Sequence, residues 1–339
     1  MKTKLTDIAL AAGVSPATVD RVLNNRKGVK ESTRLQVQSA ARRLGYFGQP
    51  DTKEPFDCTP VRVHFLLPAG TNTFIRQLGQ QIQDQVATLP AVSATVETFE
   101  GFQPSALAAR LNNLRGETDA VALVALDHPL VREAIQNLAQ SGVHIVTMIS
   151  DIRNVPRKAY VGIDNTQAGR LAGYILGRFQ GKTGARKVAF FAGSLAYRGH
   201  QEREMGFRQV LQEEFRNFEL VELREVQENR DKAYAATNEL LERHPDLAAI
   251  YNAGGATKGI VRALKDRGRD QDIILIAHEA TADNKAFLLD GSLDAAIDQN
   301  PRVEIRETLQ TLVHAARGTE HKMVPPRLHI IFRENLPVD

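Results

Sequence analysis

From residue 61 onward, short β-branched runs alternate with amphipathic helical stretches, and this alternation restricts the fold more than any other feature of the chain. The expected strands are VRVHFLL (61–67), ATVETF (94–99), AVALVAL (120–126), VHIVTM (143–148), AYVGI (159–163), KVAFFA (187–192), LAAIYNA (247–253) and IILIAH (273–278). Apolar positions at helical spacing place helices between them near 74–88, 104–114, 129–141, 166–179, 201–215, 231–243 and 257–267. Strand–helix alternation at this interval builds parallel sheets with helices on both faces. About 280 residues are too many for one such sheet of ordinary size. Residues 61–339 are therefore expected to form an α/β body of two lobes with a cleft between them. Ligands in such folds bind beyond the carboxyl ends of the strands.

The first 46 residues follow a different rule. Leu5, Ile8, Ala9 and Ala12 mark one helix. Gly13-Val14 breaks it, and Ser15 with Pro16 behind it forms a start signal for a second helix, 16 to about 24, whose Val19, Val22 and Leu23 face inward. A third helix begins after Glu31-Ser32, buries Val37, Ala40, Ala41 and Leu44, and closes at Gly45. Residues 47–60, FGQPDTKEPFDCTP, hold three prolines and no periodicity, and read as a linker.

Charge separates head from body. Residues 1–50 carry nine Lys/Arg against three acids, a balance of +6, which leaves −3 for the rest of a chain whose net charge is +3. A basic head on a mildly acidic body suits a polyanion-binding module attached to a part with another task; a solvated basic surface is the bland alternative. Hydrophobic residues at 42 % argue against a disordered chain. No apolar run approaches the roughly 20 residues of a membrane span, and the N-terminus lacks the pattern of a secretory signal. The one cysteine, Cys58, forms no internal disulfide, so a reducing cytoplasm is expected.

Two short helices joined by a tight glycine turn in a basic segment fit a DNA-binding helix-turn-helix, with a ligand-free helical bundle as the alternative. The first helix braces the second, which puts its N-terminal residues into the major groove. Amides near Ser15–Ala17 are free to hold phosphate. Arg21, on the outer side, can read guanine bidentately or pair with phosphate. One such head reads a half-site, so a homodimer on a near-palindromic double-stranded DNA operator is the geometric expectation.

Thr6-Asp7-Ile8-Ala9, the turn Ala12-Gly13-Val14-Ser15, Thr18-Val19-x-Arg21-Val22-Leu23-Asn24 and Leu44-Gly45-Tyr46 together resemble the DNA-binding head of the LacI/GalR repressors over all of 5–46. The resemblance implies that Thr6, Ser15, Pro16, Ala17 and Arg21 face the operator, with Thr18, Asn24 and Thr33 near phosphates. Two positions depart from the pattern. Asp20 stands where the family has serine; its carboxylate repels phosphate but can accept from a cytosine amine. The segment after Tyr46 lacks the Asn-x-x-Ala-Arg hinge helix and its wedging leucine, so minor-groove kinking is weaker, absent, or supplied by Phe47 or Phe56.

The body resembles the periplasmic-binding-protein-like, type I sensor of the same family, a two-lobed, doubly wound fold. That likeness implies an effector pocket built from Asn72, Phe74, Asp127, Asp151, Asn165, Arg203, Asn252, His278, Glu279 and Gln299. Arg203, three residues before Gly206, occupies the position of an arginine that clamps ligand hydroxyls or carboxylates. Carboxylates and amides pair with vicinal hydroxyls and an aromatic covers a sugar face, which fits a sugar or a polyol, while an arginine, a histidine and several carboxylates together also suit a sugar acid or an amino sugar. Each residue also has a plain structural alternative. Asp127 and Asp164 suit helix caps, Asp151 a loop, Phe74 the core, His278 a satisfied strand end and Arg203 a surface ion pair. Asn252 stands near the place of the family's Asn-Asp pair, beside Gly254-Gly255.

Other signals fail. Gly177–Thr183 is one residue short of a phosphate-binding loop and follows a helix instead of a strand. His278-Glu279 lacks the second histidine of a zinc motif, because position 282 is alanine. No nucleophile–base pair has recognisable spacing, so no enzyme, cofactor or metal is expected. The expected function is a LacI-type transcriptional regulator, a repressor, with operator affinity set by a sugar-like effector. A sugar-binding transport protein with no DNA role is the alternative, and a sugar-modifying enzyme the third.

Overall fold

The computed structural model describes residues 5–23, 29–43, 59–99, 101–181 and 183–337. They fall into two compact units, Met1–Thr59 and Pro60–Asp339. The expected linker lies almost wholly outside the described residues, as do Asn24, Leu44-Gly45-Tyr46, Phe47, Phe56 and Cys58.

The first unit contains α1 (Leu5–Ala12), α2 (Pro16–Leu23) and α3 (Glu31–Arg43). Ile8, Ala9, Val19, Val22, Val37, Ala40 and Ala41 are buried together, each at most 4 % exposed. So small a core tolerates only short helices with one apolar stripe each, which is what the sequence supplies.

The second unit holds two sheets. The first contains β1 (Val61–Pro68), β2 (Val92–Phe99), β3 (Ala120–Leu123), β4 (His144–Met148) and β5 (Ala159–Val161), parallel throughout in the order β2-β1-β3-β4-β5. Its intervening helices are α4 (Thr73–Val86), α5 (Pro104–Asn113) and α6 (Pro129–Gln140). After β5 the chain enters the second lobe through α7 (Asn165–Gln180), β6 (Arg186–Ala192) and α8 (Arg198–Glu214). That lobe continues with β7 (Phe218–Glu225), α9 (Arg230–Arg243), β8 (Leu247–Asn252), α10 (Thr257–Asp266), β9 (Ile274–His278), α11 (Ala282–Asp290) and β10 (Ala295–Asp298). Then α12 (Pro301–Ala316) returns to the first lobe, where Ile305, Leu309 and Leu312 join its core. Finally β11 (His329–Ile331) crosses back and pairs antiparallel with β10. The second sheet runs β11-β10-β9-β8-β6-β7. Apolar clusters cover both its faces, as buried parallel strands require.

The expected strands and helices are present, several of them shorter or longer by a few residues. Among the strands the largest difference is β3, which ends at Leu123 and not at residue 126. Beyond it the amide of Ala125 bonds to Ser150 and that of Asp127 to Ala196, so the chain leaves the ladder to enter the cleft. Periodicity does not single out β7, α11, β10, α12 or β11. In β7 only Phe218 is buried, because it is a sheet edge with one half-covered face, and its Glu-rich alternation reads as surface.

Candidate nucleic-acid interface and ligand cleft

In the head, Gly13 takes φ +63° and the amide of Val14 returns to the carbonyl of Ala9 at 3.0 Å, which turns the chain sharply out of α1. Ser15 then caps α2: its Oγ accepts from the amide of Thr18 at 3.2 Å and lies 2.9 Å from the Thr18 hydroxyl. Since Val19 and Val22 point into the core, the opposite face carries Pro16, Ala17 and Arg21, all exposed, along with Ser15 at its start. Thr6 is exposed on α1, and Thr18, Asp20 and Thr33 are half-buried. Of the residues expected at the operator, Ser15, Pro16, Ala17 and Arg21 share an accessible surface made by the turn and the first turns of α2, while Thr6 lies on α1, Thr33 at the start of α3 and Asn24 outside the described residues.

In the body, a cleft of about 990 Å³, open mouth included, lies where strand ends of both sheets meet. Of the residues expected in an effector pocket, Asn72, Phe74, Arg203, His278, Glu279 and Gln299 line it. Arg203 is 5 % exposed and is no surface ion pair. Its Nε donates to Asn165 Oδ1 at 2.8 Å and its Nη1 to the carbonyl of Ala253 at 2.7 Å. Both partners are uncharged. Asn165 also reaches the Tyr160 hydroxyl at 3.1 Å, so it fixes the guanidinium from behind instead of lining the cleft.

Three expected residues sit elsewhere. Asp127 is held by Arg132, and Asp151 by Arg157 at 2.6 Å and Thr147 at 2.7 Å, so both carboxylates are already compensated within their own lobe. Asn252 is fully buried and spends its amide on the carbonyl of Gly255 and the hydroxyl of Thr257, shaping the loop behind the cleft. Asp164 caps α7, accepting from the amide of Gln167 at 2.9 Å. The α6 cap is His128, so Asp127 is no cap.

Several lining residues escape a reading of the sequence: Phe102, Tyr197, His200, Glu228, Arg230 and Asp283. Glu228 and Arg230 follow β7, and a strand end cannot be located when the strand itself is not legible. Phe102 and Tyr197 meet edge to face, 5.7 Å apart, and with Phe74 give the cleft an aromatic wall.

The buried polar atoms here lack partners in an ordered way. His278 Nε2 lies 2.8 Å from the Tyr251 hydroxyl, while its Nδ1 has no partner. Gln299 Nε2 donates to Glu279 Oε1 at 2.6 Å, leaving Gln299 Oε1 and Glu279 Oε2 without partners. Burial, reinforced by the Asp298 charge, pushes the Glu279 carboxyl well above the usual carboxylate range. That shift favours the protonated form, which can donate. Burial, with Arg203 nearby, holds His278 well below the usual histidine range and His200 down to about 4, so both rings are neutral. Among the described residues, eight other than glycine have positive φ, and five of them line the cleft: Phe102, Ile149, Glu228, Ala256 and Glu279. Left-handed backbone costs L-residues free energy, and its concentration here marks loops shaped for a task other than stability.

No group of three or more His, Cys, Asp or Glu among the described residues is placed to hold a metal, and no described helix is long and apolar enough to cross a membrane.

Comparison with known proteins agrees with this division of labour. Residues 4–49 match the family described as bacterial regulatory proteins, lacI family. Residues 63–320 match the periplasmic binding protein domain family. The chain is 26 % identical over 285 residues to catabolite control protein A of Priestia megaterium, covering 83 % of each. It is 26 % identical over 344 residues to the HTH-type transcriptional regulator CelR of Thermobifida fusca, covering 97 % of this chain and 96 % of that one. Among solved structures, GanP, a glucose-galactose binding protein from Geobacillus stearothermophilus, superposes with a TM-score of 0.74 at 20 % identity, over 83 % of this chain and 100 % of its own.

Proposed function

The chain belongs to the lacI-type transcriptional regulators, with a body of the periplasmic binding protein domain family, and from this we propose that a small polyhydroxylated effector in the cleft sets the affinity of a homodimer for a near-palindromic operator. The observation that carries the effector reading is the set of unpartnered atoms on the cleft wall: His278 Nδ1, Glu279 Oε2 and Gln299 Oε1. A buried polar group without a partner costs about 1–3 kcal/mol, and a ligand that supplies the partner recovers it. With Arg203 beside them, these atoms present donors and an acceptor close together, the pattern that vicinal hydroxyls satisfy. The aromatic wall of Phe74, Phe102 and Tyr197 suits the apolar face of a sugar ring. GanP, of the same fold, is named for glucose and galactose, which favours the same class of ligand here.

One observation favours a sugar acid within that class. The buried Arg203 guanidinium hydrogen-bonds, among the described residues, only to the neutral groups of Asn165 and Ala253, and an effector carboxylate would pair with it directly. Thermal melts against neutral sugars, polyols, aldonates and uronates test both forms, because a ligand that binds only the folded state raises its melting temperature. An upward shift with aldonates or uronates alone selects the acid; no shift with any member of the panel rejects the effector reading.

In the head, the reading assigns base recognition to Arg21 and phosphate contacts to the turn and the amides at the start of α2, in a protein that acts as a cytoplasmic repressor. Arg21→Ala is expected to weaken specific operator binding by about 5- to 150-fold, the value of one bidentate base contact. Non-specific binding should change little. Gel shifts with the region upstream of the protein's own operon, against unrelated competitor DNA, measure both. An Arg21→Ala protein with undiminished preference for the operator removes Arg21 from base recognition.

A further inference from the structure

We propose that Glu228 is the clasp that closes the two lobes over the effector. It rests on the reading of the cleft as the effector site. The loop between β7 and α9 presents Glu228 from the second lobe, and the partners come from the loop between β1 and α4 of the first. Thr71 donates its hydroxyl to the Glu228 carbonyl at 2.6 Å, and Asn72 donates its Nδ2 to the Glu228 carboxylate at 3.1 Å. Arg230 adds a second thread, donating to the Thr73 hydroxyl at 3.1 Å.

Three independent features are bent to this contact. Gln227 and Glu228 take φ +51° and +54° in succession, a left-handed pair that L-residues adopt only when the surroundings hold them. The amide of Gln227, bonded to the carbonyl of Gly193 at 2.8 Å, is part of what holds them. The Glu228 carboxylate then rests in a notch that only glycine can line. A Cβ at Gly193, Gly254 or Gly255 would lie 1.8, 2.7 or 2.2 Å from its oxygens, and the amide of Gly255 donates to it at 2.5 Å. Lastly, the Asn72 amide has one orientation. Its Oδ1 caps α4 by accepting from the amide of Phe74 at 2.9 Å, so turning it around would lose the cap. The residue that caps the helix bearing Phe74, an aromatic of the cleft wall, is thereby the residue that grips Glu228.

Closure also takes up a proton. Burial raises the Glu228 carboxyl to about 7, against an attraction from Arg203 that lowers it. The groups facing it from α8 are Arg203 and His200, whose Nε2 is 3.9 Å away and which stays neutral; Tyr197 precedes that helix. Asn72 and the glycine loops bring no charge, and the Arg230 guanidinium turns to Thr73 and Asp283. Opening the cleft lets water reach the carboxyl from the first-lobe side and lowers its value toward the ordinary 4.5. Its closed-state value is the higher one, so closing binds a proton between those two values. The closed form is favoured as pH falls through that window and loses that advantage as pH rises to about 7. Between pH 5.5 and 7.5 the closed-to-open ratio should fall severalfold, up to about twentyfold where the open carboxyl is fully hydrated.

Spin labels at Gln77 on α4 and Ala235 on α9, both exposed, report the separation of the lobes in the full-length protein with Cys58→Ser. In the parent, the closed-to-open ratio should fall by that factor from pH 5.5 to 7.5. Glu228→Gln keeps an oxygen for Asn72 and Gly255 but cannot ionise, and should show a ratio independent of pH. Glu228→Ala should shift the distribution to longer distances at both pH values. A Glu228→Ala distribution that matches the parent, or a Glu228→Gln protein with the parent's pH dependence, overturns the proposal. The measurement needs no effector, so the clasp can fail while Arg203→Ala still weakens ligand binding, and it can hold where no sugar binds.

Discussion

Arg203→Ala is expected to lower effector affinity by roughly 30-fold to several thousandfold, the 2–5 kcal/mol typical of removing a buried charged hydrogen-bonding group from a binding site. The guanidinium lines the cleft beside the unpartnered atoms of Glu279 and Gln299 and is held in place by Asn165 and Ala253. Truncation removes a donor from the ligand and strands the Asn165 oxygen and the Ala253 carbonyl. Free protein should keep its operator affinity, because the head is a separate compact unit with its own core. The effector should then no longer change that affinity. Arg203→Lys should recover only part of the binding, since an ammonium cannot hold Asn165, Ala253 and a ligand in the fixed fork of a guanidinium. Calorimetry with the effector found by thermal melts, and gel shifts with and without it, measure the two halves. Parental effector affinity in Arg203→Ala would remove this residue from the site.

Gly169→Ala should destabilise the body by about 2–3 kcal/mol, with a fall in melting temperature of roughly 4–12 °C. Helix propensity alone predicts the opposite sign, a gain of about 1 kcal/mol for alanine over glycine inside a helix. Packing decides otherwise. Gly169, Gly173 and Gly177 form a stripe on α7 on which α8 lies directly, and a Cβ at 169 would stand 1.9 Å from the carbonyl oxygen of Arg203. Gly206 answers from α8, where a Cβ would lie 2.1 Å from the carbonyl of Thr166. A backbone oxygen cannot swing aside, so the helices must separate. Because α7 carries Asn165 and α8 carries Arg203, the same change should also weaken effector binding. Thermal melts of the ligand-free protein check the sign, and a Gly169→Ala protein that melts above its parent would show that the helices can part without cost.

The chain by itself determined the parts of this protein that depend on neighbours in sequence. Strand–helix alternation fixes parallel sheets because its period reports which side of each element meets a core. Ser15 and Asp164 announce helix starts because a cap bonds to amides two or three residues away. The family pattern of the head is legible for the same reason, since its turn and its inward valines lie within a few residues of one another. The resemblance of the body also singles out Arg203, His278, Glu279 and Gln299, which line the cleft.

Only the tertiary structure decided which polar groups remain open to a ligand. Asp127 and Asp151 look as suitable as Glu279 until Arg132 and Arg157 are seen to pair with them, while burial favours the protonated form of Glu279 and leaves one of its oxygens without a partner. Glu228 follows an edge strand with little apolar signal, and its notch needs glycines from two other loops. The sign of Gly169→Ala likewise depends on a carbonyl 34 residues further along the chain, in the next helix but one strand away. Desolvation and close contact act through space, between residues brought together by sheet order and by the three passages of the chain between lobes, and no local pattern in the sequence carries that information.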